Sequence, residues 1–264
     1  MLITAADITA ALREIGVRDD HMIFVHAGLQ GSGRVEGTRS RDKLATITGG
    51  LTAAVAEGTL ILPTFTYSHC SGETYDRDAT PSTVGQLSEH FRRLPGVRRT
   101  ADPIFSTAVL GPVDADFEEP LFTVGDSDCF GPRSIFGQLA ARRGTVVFYD
   151  VGFAFCTFVH HVEQALGATY RYPKSFGGTV RDGAVERQTS TTFFVRRLDQ
   201  VVDTHFGPLV AALGAAGALR RTTIPGGPTL FAVDTVAILD VIRREVAANA
   251  DFLILRGHAV AVAA

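Results

Sequence analysis

Within nine residues, CTFVHHVEQ (Cys156 to Gln164), the chain carries a thiol, two imidazoles, a carboxylate and an amide. Such groups exchange protons near neutral pH, attack a carbonyl or bind a metal, and their spacing separates the three. If residues 157–166 form a helix at 100° per residue, Val159, Val162 and Leu166 make one narrow apolar stripe. His160 and Glu163 then fall at i, i+3 beside it, on the border between buried and wet surface. A carboxylate so placed orients an imidazole and raises its basicity, which suits a general base. His161 falls on the far side and is expected to be solvated. Two other readings stay open: Glu163 only satisfies a half-buried His160, or Cys156, at i, i+4 from His160, is a thiolate nucleophile with its base. A metal needs a third ligand from elsewhere, and neither HExxH nor CxxC spacing supplies one.

The elements that must position this stretch alternate. A capping box, Thr4 to Asp7, opens a first helix with Ile8, Leu12 and Ile15 on one face. HMIFVHAG (His21 to Gly28) reads as a buried strand. Leu44, Ile47, Leu51 and Val55 have helical spacing, and a strand stopped by Pro63 follows. Ser82 is expected to cap a helix carrying Leu87 and Phe91, STAVLG is a strand, and Ser134 caps IFGQLAARRG. TVVFYDVG, a β-branched strand, leads straight into the His160 stretch. Downstream, a turn at Asp182-Gly183 joins two strand-like runs as a hairpin. Two helical segments, the second capped by Asp234, and a strand DFLILRG complete the chain. The expected fold is a layered α/β/α arrangement with a central mixed, partly parallel sheet and a small antiparallel hairpin appendage.

Composition narrows the classes. A chain of 264 residues buries a substantial core, and a net charge of −3 without a basic cluster argues against a nucleic-acid binder. The pairs Arg92-Arg93, Arg142-Arg143 and Arg220-Arg221 are expected at helix ends, solvated and complementing the helix dipole. Cys70, Cys129 and Cys156 are odd in number and widely spaced, which suits a reducing compartment. The first twenty residues show no basic region followed by an apolar run, and the HAVAVAA tail is far too short to span a membrane. The expected address is the cytoplasm.

Six stretches, in order from Met22 to Phe176, resemble the aminoglycoside 3-N-acetyltransferase family: MIFVHAGLQGSG, GTLILPTFTYS, YDRDATPSTVGQLSEHFRRLPGVRRT, DPIFSTAVLG, FGPRSIFGQL and CTFVHHVEQ. Members of that family transfer acetyl from acetyl-CoA to an amine. The resemblance implies one N-acetyltransferase domain over residues 1–264, with His160 as catalytic base and Glu163 as its partner acid. It places Gly28, Leu29 and Gln30, and separately Ser106, Thr107 and Ala108, against acetyl-CoA as co-substrate, and Asp76 on the amine side. No metal is implied. The chain departs from the family at DPIFS, where aminoglycoside-modifying members carry HPxHS, so Asp102 and Phe105 stand in place of two histidines. This looks like a divergent branch in which YRYPKSF (Tyr170 to Phe176) offers Arg171 and Lys174 to the phosphates of a nucleotide-linked substrate or of CoA.

The leading expectation is therefore acetyl transfer to a primary amine of an amino sugar, nucleotide-linked amine or related intermediate. The alternative within the family is aminoglycoside inactivation, which needs an acidic pocket. Glu73, Asp76, Asp78 and the DADFEEP segment, itself read as a solvated loop, are candidates for that. From other classes come a metal-dependent hydrolase using His160, His161 and Glu163, and a non-catalytic CoA-binding module. The expected partner is a small-molecule amine, with a homodimer as the expected assembly and neither nucleic acid nor membrane involved.

Overall fold

A computed structural model describes residues 2–31 and 34–257 of the protein; the HAVAVAA tail and Ser32 and Gly33 of the first loop lie outside them. The centre is a seven-stranded sheet, in order β11 (Arg220–Thr223), β12 (Thr229–Asp234), β7 (Thr145–Tyr149), β1 (Met22–Ala27), β2 (Thr59–Pro63), β5 (Thr107–Leu110) and β4 (Arg98–Arg99). Only β7, β1 and β2 run parallel, and the flanking strands are antiparallel. The three parallel strands are almost wholly buried, as strands covered on both faces must be. Their side chains alternate between two apolar layers: Phe24, Ile61, Val146 and Phe148 face one, and Ile23, Val25, Leu60, Leu62 and Val147 the other.

Helices α1 (Ala5–Glu14), α2 (Ser40–Ala53) and α3 (Gln86–Phe91) cover the second layer. The Thr4–Asp7 box closes as expected, with Thr4 N donating to Asp7 Oδ2 at 2.8 Å and Asp7 N to Thr4 Oγ1 at 3.2 Å. On the first layer lie α4 (Ala115–Phe122), α5 (Ile135–Ala141), α6 (Phe158–Ala165), α7 (Gly207–Ala215) and α8 (Thr235–Ala248). Ser134 caps α5, accepting from Gly137 N at 3.2 Å. The hairpin of β8 (Arg171–Asp182) and β9 (Val185–Arg196) turns where expected and recruits β3 (Tyr75–Asp76) and β6 (Ser127–Asp128) into a four-stranded sheet. A two-stranded sheet pairs β10 (Val202–Thr204) with β13 (Ile254–Arg256).

Four expectations need correction. DADFEEP is not a solvated loop: Asp114 caps α4, accepting from Phe117 N at 2.8 Å, and Phe117 and Leu121 are buried. Ser82 does not cap α3, because Gly85 at φ 103° turns the chain into it three residues later. Arg220 and Arg221 lie in strand β11, not at a helix end. Arg92 closes α3 but is buried against Glu89, with Nε 2.6 Å from Oε2.

Candidate active site

The parallel strands end at one edge of the sheet, where ligands gather in open α/β folds. The turn after β1 and the turn after β7 meet there. Gly28 N donates to Tyr149 O at 2.8 Å, and Gly31 N to Asp150 Oδ2 at 2.6 Å. A Cβ on Gly28 would stand 2.4 Å from Asp150 O, and one on Gly31 2.6 Å from Asp150 Oδ1. Asp150 itself sits at φ 55°. These contacts leave no room for a side chain at position 28 or 31, so the turn presses bare backbone on Asp150 at both ends of Leu29-Gln30. Gly28, Leu29 and Gln30, with Phe65, Gly85, Thr157 and His160, line a cleft of about 770 Å³. At Gly85 it adjoins a groove of about 720 Å³ flanked by Arg41, His90 and Arg93.

His26, in β1, also lines this cleft. Sequence reasoning passed over it because strand periodicity made it one more alternating residue. Its ring stacks on Phe148 at 5.6 Å between centroids, and burial pushes its pKa down to about 3, so it is neutral. Nε2 is sealed without a hydrogen-bond partner among the described residues.

From β7 the chain passes through a 3-10 turn (Phe153–Phe155) and Cys156 into α6. Phe158, Val159, His161, Val162 and Glu163 are buried, leaving the 160–164 face open. The expectation that His161 is solvated is therefore wrong. Its Nδ1 donates to Phe130 O at 2.7 Å, because the Cys129–Gly131 turn packs on α6 and covers it. Leu166, expected in the core stripe, is instead 36% exposed.

His160 keeps 23% of its side chain exposed, and its Nδ1 lies 2.6 Å from Glu163 Oε2. The neutral ring is thereby held as the Nδ1–H tautomer, with Nε2 left as an acceptor. Glu163 has no exposed side-chain surface. Tyr170 donates its hydroxyl to Oε1 at 2.9 Å, and Arg171 Nε sits 2.7 Å from Oε2. Burial alone would raise the Glu163 pKa; the His160 hydrogen bond, the Arg171 charge and the Tyr170 hydroxyl outweigh it and hold the carboxyl below its usual range. Burial and the Glu163 charge raise the Tyr170 pKa, so its hydroxyl stays a donor.

On its other side His160 borders a cavity of about 490 Å³ lined by Tyr172, Lys174, Phe176, Phe193 and Arg196. Arg171 lines it too, but its guanidinium is turned inward to Glu163 and to Phe194 O (3.2 Å), so its charge is already answered. The fold thus brings together His160, Glu163, the Gly28–Gln30 turn, Arg171 and Lys174. It keeps four other candidates away. Ser106, Thr107 and Ala108 have no exposed surface: Ser106 Oγ donates to Thr64 O at 2.7 Å, and Thr107 N to Thr100 Oγ1 at 2.8 Å. In this structure the three residues are engaged within the sheet. Asp76 closes a tight turn, accepting from Asp78 N (3.0 Å) and Ala79 N (2.8 Å), and lies 3.5 Å from Arg181. Its place is in the hairpin sheet, not beside His160.

Two residues mark the departure at DPIFS. Asp102 accepts from Ile104 N and Phe105 N, both at 2.8 Å, and so fixes the turn. Phe105 packs on Phe130 (4.8 Å) and Phe193 (5.0 Å), tying the hairpin to the core. Cys156 is 1% exposed, and burial pushes its thiol up to about 12, so a thiolate is disfavoured. Among the described residues no three or more His, Cys, Asp or Glu side chains are grouped to hold a metal, and no helix is long and apolar enough to cross a membrane.

The layered α/β fold, with an acid-held imidazole between two clefts at the carboxyl edge of its parallel strands, defines a class. Within it, the model of the family described as aminoglycoside 3-N-acetyltransferase matches residues 24–246. The chain belongs to that family. It is 28% identical over 173 residues to aminoglycoside N(3)-acetyltransferase IV from Salmonella sp, an alignment covering 64% of this chain and 62% of that relative. The chain thus spans less than two thirds of the relative's length. The fold is shared with aminoglycoside acetyltransferase AAC(3)-Xa (TM-score 0.77, 19% identity, 92% of both chains). It is also shared with AAC-IIIb, solved as a binary complex with CoASH (TM-score 0.74, 21% identity, 92% of this chain and 98% of that one).

Proposed function

We propose that the protein is an acetyl-CoA-dependent N-acetyltransferase in which His160 is the general base and Glu163 its orienting acid. The observation that carries this reading is the position of His160, which borders both the Gly28–Gln30 cleft and the hairpin cavity. A base shared by two clefts can serve an acyl donor in one and an amine in the other. Family membership and the CoASH complex of AAC-IIIb support the donor assignment.

The donor side fits an extended thioester. The glycine turn forms a cradle that a Cβ at Gly28 or Gly31 would fill, and the adjoining groove offers Arg41 to a phosphate, Arg93 there being paired with Glu89. When bound, acetyl-CoA supplies an acyl group already activated for attack, so no enzyme nucleophile is needed. Alkyl amines are mostly protonated near neutral pH, and His160 Nε2 accepts the proton that an attacking amine loses and returns it to the thiolate that departs as the C–S bond breaks. Glu163, held by Tyr170 and Arg171, then balances the imidazolium charge without moving.

The acceptor in this reading is a primary amine on an amino sugar, a nucleotide-linked amine or a related intermediate. A second reading, an aminoglycoside acceptor, draws on the names of the relatives. It also draws on an acid-lined cavity of about 530 Å³ with Asp102, Glu119, Asp126 and Asp128, which borders the Asp128–Ser134 turn but not His160. Thiol release from acetyl-CoA, measured against a panel of amino sugars, nucleotide-linked amines and aminoglycosides, tests both. Amine-dependent release that disappears in His160→Ala is the expected result. A folded protein that releases no thiol with any amine, or equal turnover in His160→Ala, overturns the reading.

A further inference from the structure

The β8–β9 register explains which hairpin side chains face His160. Tyr172 pairs with Val195, and Lys174 with Phe193. Residues alternate faces along a strand, so Tyr172, Lys174 and Phe176 share one face with Phe193 and Val195, and all five line the cavity beside His160. No carboxylate is among its lining residues.

The charge of this wall is unbalanced. Lys174 Nζ lies 4.8 Å from the Phe176 ring centroid and forms no salt bridge among the described residues. Arg196 adds a guanidinium tethered by NH1 to Val202 O at 2.9 Å and paired across 3.6 Å with the exposed Asp203, which leaves Lys174 as the uncompensated cation of the wall. Arg171 is neutralised by Glu163. A polycation presenting its amine to His160 would meet Lys174 and Arg196 head-on. A dianion beside a planar ring would meet Lys174, the solvent-exposed Arg196 pair and the Phe176 and Phe193 faces.

From this we propose that the hairpin face is the acceptor subsite and that it takes an amine carrying a phosphate ester next to a planar ring, as a nucleotide-linked amine does. Lys174 is the principal phosphate contact, and Arg196 the second. The proposal rests on the acyl-transfer reading above and deepens it. The same chemistry exists in the phosphates and adenine of CoA, but the Gly28 cleft and the adjoining groove with Arg41 provide a separate place for those.

Calorimetric titration of uridine 5′-diphosphate, and separately of CoA, into the full chain tests it in the wild type, Lys174→Glu and Lys174→Arg. Lys174 is exposed on its strand, and circular dichroism confirms that the variants fold. The expected result is that Lys174→Glu weakens the nucleotide by about tenfold or more at low salt, Lys174→Arg retains it, and CoA affinity is unchanged. Nucleotide affinity indifferent to Lys174→Glu overturns the proposal. A parallel fall in CoA affinity also overturns it, moving the subsite to the donor. Lys174-dependent nucleotide binding without thiol release from any nucleotide-linked amine leaves the subsite standing and defeats the transferase reading. Thiol release with uncharged amino sugars at a kcat/KM independent of Lys174 does the reverse.

Discussion

On the strand-edge side of His160 the wall includes a turn fixed by its backbone, with Gly28 and Gly31 pressed against Asp150 so closely that no Cβ fits between them. On the hairpin side it is side chains, with Tyr172 and Lys174 standing out from a twelve-residue strand and largely exposed. The first wall is set by the packing of β1 on β7 and tolerates almost no substitution. The second is re-lined at Tyr172 and Lys174 with little consequence for the core, whereas Phe176 and Phe193 of the same face pack against it. Such a division lets one reaction be kept while the acceptor changes. His160 and Glu163, on α6 between the walls, belong to both.

The largest expected effect comes from removing what the walls share. His160→Ala lowers acetyl transfer by roughly two to four orders of magnitude, the range for a positioned base. The ring is partly exposed, and Glu163 keeps Tyr170 and Arg171 as partners when the His160 hydrogen bond is lost, so the melting temperature falls only modestly. Steady-state thiol release with parallel melting curves checks both halves. Near-normal turnover breaks the idea that the two clefts meet at a base.

Glu163→Gln comes next and separates positioning from folding. Turnover falls by about ten- to a hundredfold, as when an orienting carboxylate is lost. Stability also falls, by about 3–5 kcal/mol, because Arg171 is left buried without its counter-charge. The sign of the pH effect follows from the carboxyl's lowered pKa. Its stabilisation is complete above the unfolded value near 4.5 and is lost as pH falls through the folded value, so acid unfolding is steeper in the wild type than in Glu163→Gln. Urea midpoints between pH 3 and 7 (approximate limits chosen to bracket that range) measure the difference.

Gly28→Ala probes the backbone wall alone. A methyl 2.4 Å from Asp150 O forces the turn off β7, raising KM for acetyl-CoA by about tenfold while KM for the amine hardly moves. It is the mirror of Lys174→Glu, which acts on the amine side. Equal effects on both substrates in either variant would erase the distinction between the walls.

Much of this arrangement is legible in the sequence. The parallel centre shows as β-branched runs between helical spacings, the Thr4–Asp7 and Ser134 caps as hydroxyls at the right offsets, and the hairpin as alternating residues around Asp182-Gly183. His160 and Glu163 follow from i, i+3 spacing. His161 does not, because a helical wheel registers one packing surface and α6 has two, the sheet and the Cys129–Gly131 turn. Ser106 to Ala108 carried over as ligand contacts because motif position says nothing of depth, and here β4 and β2 enclose β5 on both edges. Asp150 left no signal at all: its role is a tertiary contact with Gly31, 119 residues away in the chain.

The smallest expected effect concerns Cys156, which lines the Gly28–Gln30 cleft beside His160 and is the natural rival to it. A covalent route through this thiol needs a thiolate, yet burial pushes its pKa up to about 12, so at neutral pH the sulfur is almost wholly protonated. Its surroundings are those of a small core residue filling the turn before α6. Cys156→Ala therefore keeps full turnover and costs about 1 kcal/mol of stability for the void left behind. Intact-mass measurement after incubation with acetyl-CoA alone shows no acetylated protein in either form. An adduct confined to the wild type, with turnover lost in Cys156→Ala, would shift the chemistry from a base between two walls to a nucleophile embedded in one of them.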